Sequence, residues 1–273
     1  MKIIQLTNMT SSQMMGYVLQ ASTGELLVID GGAEGNEGEL ERIITALGGH
    51  VQLWLITHPH KDHHDAVIRL LSQKDSAVTY DRLGASRLPD AWAEGMDECR
   101  ELYDWNAFGE TLDDRYFEVK PGQKFRVGSM CVEVLAGANP ELTENAFNNQ
   151  SCVYRVSENG FRFLVLGDLG EEAGEKLLAS GCDLRSDAVQ MAHHGQQGVR
   201  ESFYQAVSPR YAFWPTPLWL WENRRYLGGG DFDCGPFATR HTIRWMEALG
   251  AENILSFTHT VVFDTETRKT EEI

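Results

Sequence analysis

Between His58 and Asp65 the chain places four of its nine histidines and two aspartates in eight positions, within the stretch LITHPHKDHHDA. Packing does not explain imidazoles and carboxylates at this density directly after an apolar run. Both are the usual ligands of zinc and other borderline divalent ions. Pro59 disfavours the helical region for His58, and in an extended segment His58 and His60, two apart, face the same way. Asp62 and His63 then fall at the start of a helix, where Asp62 can cap or ligate. Two imidazoles make half of a tetrahedral site. A carboxylate beside a third imidazole makes half of another, and an aspartate from elsewhere can bridge the two.

The elements that must carry these groups share a regularity. LLVID ends in Asp30 before Gly31–Gly32, LWLITH ends in His58, FLVLGD ends in Asp168, and AVQMAHH ends in His193–His194. Rigid strands fix the positions of side chains at their ends, so loops at one sheet edge are where such groups meet. Short apolar runs predict strands at Lys2–Leu6, Met15–Gln20 and Leu26–Ile29, then a helix carrying Leu40, Ile43, Ile44 and Leu47 at helical spacing. VQLWLIT follows as a strand, and Asp62 opens the next helix. The irregular stretch 85–114 reads as an insertion with a helix around Ala91–Trp105. Strands resume at YFEV, KFRV, MCVEVLAG, CVYRV and FRFLVLGD. The helix LGEEAGEKLLAS, the strands DAVQMA and RYAFW, a helix near Gly235–Leu249 and the strands NILSF and TVVF complete the series. Hairpins mixed with strand–helix–strand units predict an α/β (α+β) architecture: two mixed β-sheets with helices on the outer faces. No low-complexity linker divides residues 1–273, so one domain is expected.

Composition narrows the function. Forty acidic against 24 basic residues give a net charge of −16, which repels polyanions, and no basic stripe offsets it. A nucleic-acid partner is therefore not expected. Five scattered cysteines argue for reduced thiols rather than a disulfide framework. No signal peptide and no apolar run of membrane-spanning length is visible, so a cytoplasmic enzyme acting on a small molecule is the expectation. The oligomeric state stays open.

The block His58-Pro-His60-Lys-Asp62-His63 resembles the HxHxDH signature of the metallo-β-lactamase superfamily, whose fold is an αββα sandwich. Asp30-Gly31-Gly32, VLGD with Asp168, and AHHG with His193 and His194 match further motifs of that superfamily in order, from Met1 to Gly195. No histidine lies between His64 and His193, where most members have another ligand. The segment NNQSCVYR, Asn148 to Arg155, and the HHG motif resemble instead the branch of competence-type hydrolase domains and phosphorylcholine esterases.

This resemblance implies a binuclear hydrolase with two divalent ions, zinc first, manganese or ferrous iron as alternatives. One site would hold His58, His60 and Asp168, completed by water or an asparagine, with Asn149 as a residue that contacts substrate or supports the ligands. The other would hold Asp62, His63, Asp168 and one of His193 and His194, with His194 favoured. Asp62 would orient the nucleophile, His193 would stabilise charge or protonate the leaving group, and Asp30 would support the ligand loop. The implied reaction is hydrolysis of a small phosphoric ester or phosphodiester. The alternatives are lactone, thioester or amide hydrolysis, a redox role on iron, and a non-catalytic metal-binding member. His50, His64 and His241 read as surface or packing residues, while His259 could approach from a late strand. Trp219 and Trp221, in the aromatic stretch Tyr211–Tyr226, could wall a pocket for a cationic leaving group with Arg224 or Arg225 nearby.

Overall fold

The computed structural model describes residues 1–273, apart from the side chain of Leu227. The first half of the chain forms β1 (Lys2–Gln5), β2 (Gly16–Gln20), β3 (Leu26–Asp30), α1 (Glu37–Ala46), β4 (His50–Leu55), α2 (Lys61–Ser72), β5 (Thr79–Tyr80), β6 (Leu83–Ala85), α3 (Cys99–Thr111) and β7 (Tyr116–Glu118). The second half forms β8 (Lys124–Val127), β9 (Met130–Ala136), β10 (Val153–Glu158), β11 (Phe161–Val165), α4 (Glu171–Ala179), β12 (Ala188–Gln190) and α5 (Glu201–Val207). It continues with β13 (Tyr211–Trp214), α6 (Leu218–Trp221), α7 (Thr239–Ala248), β14 (Glu252–Leu255), β15 (Val261–Asp264) and β16 (Lys269–Glu272).

One sheet runs β16-β15-β1-β2-β3-β4-β6-β7, with β5 also on β4, and the other runs β14-β13-β12-β11-β10-β9-β8. Strands with apolar residues on both faces need two partners. In β11, Phe161, Phe163 and Val165 face the space between the sheets, while Leu164 faces α4 and α5. In β2, Tyr17 and Leu19 meet the same central layer, while Val18 turns to α1 and α2. Tyr17 meets Phe163 and Phe213 edge to face, and Phe213 meets Phe263 likewise, at the centre; truncating such a ring to alanine costs about 3–5 kcal/mol. This is the αββα sandwich that the element order and the resemblance implied.

The parallel pairings place the site. β3 pairs parallel with β4, and β11, β12 and β13 pair parallel in series. Each set therefore delivers its C-terminal ends to one edge, as the strand-end regularity required.

The 85–114 insertion departs from the expected single helix at Ala91–Trp105. A short 3-10 turn at Asp90–Trp92 precedes α3, and Gly95, at φ +85°, breaks the run between them. The short β5 and β6, the wholly exposed β16, and the helices α5 and α6 have no counterpart among the expected elements. No helix among the described residues is long and apolar enough to cross a membrane.

Candidate metal centre

The loops after β3, β4, β11 and β12 converge on one buried cluster. Ligand-type atoms of Asp62, His63, Asp168 and His194 lie within 4.8 Å of one another, and so do those of His58, His60 and Asp168. Asp168 belongs to both groups. His63 Nε2 is 3.2 Å from Asp168 Oδ1, and His194 Nε2 is 3.0 Å from Asp62 Oδ2 and 3.4 Å from Asp168 Oδ2. In the other group, His58 Nε2 lies 2.9 Å from His60 Nδ1.

The backbone explains how the local sequence achieves this. His60 is extended at φ −95°, ψ 146°, and α2 begins immediately after it. The first turn of α2 is tied down from outside: Gly31 N–H and Gly32 N–H donate to His63 O, and Met15 N–H donates to Asp62 O. A Cβ on Gly31 would sit 2.5 Å from Val67 Cγ2, so the Asp-Gly-Gly turn needs glycine for this approach. At the other loop, His193, His194 and Gly195 all have positive φ, at 49°, 51° and 77°. Such conformations cost energy for non-glycine residues and concentrate at functional sites. Gly195 could carry no side chain, since its Cβ would lie 2.4 Å from the Trp214 ring.

Hydrogen bonds from the next layer fix which imidazole nitrogen faces inward. Asp30 is fully buried and accepts from Thr57 N–H, Thr57 Oγ1 and His63 Nδ1, each at 2.7 Å. Because Thr57 Oγ1 gives its proton to Asp30, it accepts from His58 Nδ1 at 3.1 Å. His194 Nδ1 donates to Pro215 O at 2.8 Å. In all three residues Nδ1 is engaged and Nε2 is the nitrogen left facing the cluster, the arrangement that orients metal-binding imidazoles.

The site fits a cation. Three of the eight buried side-chain atoms without a hydrogen-bond partner among the described residues are here: His60 Nε2, His63 Nε2 and Asp168 Oδ1. Leaving such atoms unpaired costs about 1–3 kcal/mol each, and one ion per group would satisfy them.

Proton affinities tell the same story with different signs. Burial, with His63 and His60 adding repulsion, holds His58 well below the ordinary histidine value. Burial brings His60 down to about 4. Burial opposes charge on His63 and His194 too, but the surrounding carboxylates prevail. Asp168, Asp30 and Asp62 raise His63 well above its ordinary value, and Asp168 and Asp62 raise His194 to about 10. Asp168 stays well below the usual carboxylate range despite its burial because of His194, His63 and His193. Without an ion, protons on His63 and His194 stand in for positive charge.

The structure separates the remaining expected residues. Of the two adjacent histidines, His194 enters a ligand group, whereas His193 donates from Nδ1 to Gln197 O and keeps Nε2 3.8 Å from Asp168 Oδ2. Asn149 does not face the His58–His60 group. Its Oδ1 accepts Ala173 N–H in the first turn of α4, and its Nδ2 donates to Glu144 O and Glu172 Oε2. Ser151, in the same NNQS segment, is the residue that reaches the site, accepting Asp168 N–H at 3.0 Å. His259 is exposed and faces Thr258 and Glu272 rather than the cluster. Trp221 packs against Trp214 and Phe257, and Arg224 pairs with Glu222, so Trp221 and Trp219 do not share one wall. His64 stacks on Trp105 at 5.2 Å, and His50 and His241 lie on the surface.

Several positioning residues had no sequence signal. Phe147 stacks on His60 at 5.5 Å with rings 5° from parallel, and it sits in a small apolar cluster with Leu88, Ala93 and Leu102 of the insertion. Glu101 Oε2 accepts Lys61 N–H at 2.8 Å, supplying α2 with the cap it lacks locally.

These sheets, their order and the ligand-bearing loops define the chain as a metallo-β-lactamase-fold protein. No protein-family profile matches it. Over 173 residues, 63% of the chain, it is 27% identical to ComE operon protein 3 of Bacillus subtilis, and it spans only 20% of the length of that relative. The metallo-β-lactamase fold protein YhfI of Bacillus subtilis superposes with a TM-score of 0.58 at 12% identity, covering 96% of this chain and 99% of that one. Zn(2+)-bound PqqB of Methylobacterium extorquens superposes with a TM-score of 0.55 at 10% identity, covering 97% and 100%.

Proposed function

We propose that the chain is a hydrolase that uses two divalent ions, zinc by the chemistry of the donors, on a small phosphoric ester such as a phosphodiester. The observation that carries this reading is Asp168, shared by two ligand groups in which His60 Nε2, His63 Nε2 and Asp168 Oδ1 are buried without a hydrogen-bond partner. Imidazoles and carboxylates without a thiolate suit zinc, with manganese or ferrous iron as weaker fits. Ions bound there would supply an activated water at neutral pH and polarise the scissile oxygen.

The chain's own residues do the rest. Asp62, the most open carboxylate of the centre at 24% side-chain exposure, orients the attacking water. His193, anchored through Nδ1, offers Nε2 for proton transfer at the leaving oxygen. Asp30 and Thr57 hold His58 and His63 in register, so little rearrangement accompanies the reaction. The resemblance of NNQS and HHG to the branch of competence-type hydrolase domains and phosphorylcholine esterases supports the phosphoester. The charge of −16 favours a small substrate over a polyphosphate chain.

Metal content measured alongside hydrolysis of bis-p-nitrophenyl phosphate tests this. Chelator-sensitive turnover, lost together with both ions in Asp168→Ala, is expected. Turnover that survives both chelation and that substitution would contradict it.

A further inference from the structure

The aromatic stretch after the second histidine loop builds a cavity that the metal chemistry does not use. It has a volume of about 190 Å³ and lies between the loop after β1 and the segment Pro215–Trp219. Leu6, Met14, Pro215, Pro217, Trp219 and Phe257 supply its apolar walls, and none of its lining residues is charged. In a chain with 23% charged residues, a cavity without a single charge selects against ionic occupants.

Several of its polar groups are turned to protein partners. Thr216 Oγ1 donates to His194 O, Ser256 Oγ donates to Leu6 O, and Asn8 Oδ1 accepts from Thr10 N–H and Oγ1. Trp219 Nε1 donates to Ser11 O at 3.1 Å, which locks the indole as a wall. Hydrocarbon and ring make up the larger part of what faces the space. An apolar cavity of about 150 Å³ is enough to take up benzene, so this one fits a phenyl ring or a short alkyl chain.

Its position links it to the centre. Pro215 O, in the cavity wall, is the acceptor of His194 Nδ1 at 2.8 Å, so one imidazole separates the wall from the ligand atoms. Exposed Leu218 belongs to the lining, and exposed Tyr226 packs on Trp219 at 5.3 Å, giving the entrance an apolar rim.

We propose that this cavity is a substrate subsite for an uncharged apolar substituent, an aryl or short alkyl group, of the ester. That role rests on the hydrolase reading, but the ability to take up such a group does not. The test therefore has two arms. First, metal-free protein is titrated with benzyl alcohol and followed by saturation-transfer NMR, in wild type, Ser11→Phe, which fills the mouth, and Leu218→Glu, which puts a carboxylate on the rim. Saturable binding in wild type, lost or strongly weakened in both variants, is expected. Absent binding, or binding that neither variant changes, overturns the subsite. Second, the metal-loaded protein is given methyl and benzyl p-nitrophenyl phosphate. The benzyl ester should have a kcat/KM higher by about tenfold or more, and both variants should bring the ratio toward unity. Equal values in wild type overturn the subsite role. If neither ester is cleaved, the hydrolase reading fails, and with it the substrate role, while the benzyl alcohol titration still decides whether the cavity binds.

Discussion

The two ligand groups that meet at Asp168 are built on opposite electrostatic plans. His58 and His60 have only Asp168 as a carboxylate partner in their group, and burial keeps both neutral, His60 down to about 4. His63 and His194 sit among Asp30, Asp62 and Asp168 and hold protons in the absence of an ion, His194 up to about 10. One group is ready for a cation but short of ligands. The other is complete but must release protons first. A single sequence block thus contributes to two sites whose metal binding should respond differently to the same conditions.

The largest expected effect is loss of what the groups share. Asp168→Ala should abolish tight binding of both ions, whereas His60→Ala and His194→Ala should each remove one, as read by metal analysis after gel filtration. If Asp168→Ala retains one ion fully, the bridge does not exist. A stepwise chelator titration of wild type should strip the His58–His60 group first, because Asn149 is engaged at α4 and adds no ligand there. Simultaneous loss would erase the distinction.

The pH response sharpens it further. An ion entering the second group displaces protons from His63 and His194, so its affinity should rise steadily from about pH 6 to about pH 8. The first group carries no such protons in that range and should change little. In the metal-free protein the linkage runs both ways. His194 binds more protons folded than unfolded between 6.5 and about 10, so its contribution to stability is lost as pH rises through that window. His60 binds fewer between about 4 and 6.5, so its cost grows as pH falls. Urea unfolding of metal-free protein should lose both slopes in the corresponding His→Gln variants.

Smaller effects come from the supporting residues. Asp30→Asn should weaken the second group by about 10- to 100-fold through the orientation of His63, and the first group less, because Thr57 alone connects Asp30 to His58. Glu101→Ala removes the cap on Lys61 N–H and should cost about 1 kcal/mol of stability in thermal unfolding.

The legible and illegible parts of the site divide along physical lines. His58, His60, Asp62 and His63 were readable because their relation is local: Pro59, an extended segment and a helix start fix it within six residues. Asp30, Asp168 and the His193–His194 pair are legible as strand ends, since parallel strands share an edge, but which of the pair turns inward is not. The orientation of Asn149 is not legible, because residue type does not reveal which way a side chain turns, and the first turn of α4 takes up its Oδ1. Trp219 and Trp221 were grouped because they are close in sequence, yet two residues along the single turn of α6 point about 200° apart. One enters a cavity and the other the core. Glu101, Phe147 and the carbonyl of Pro215 act across long separations, through contacts that no spacing encodes.

The most direct measurement is a crystal structure of the metal-loaded protein with anomalous difference maps at the zinc edge. Two peaks flanking Asp168 are expected, one held by His58 and His60, the other by Asp62, His63 and His194. A single peak, or a second one not touching Asp168, would contradict the shared centre.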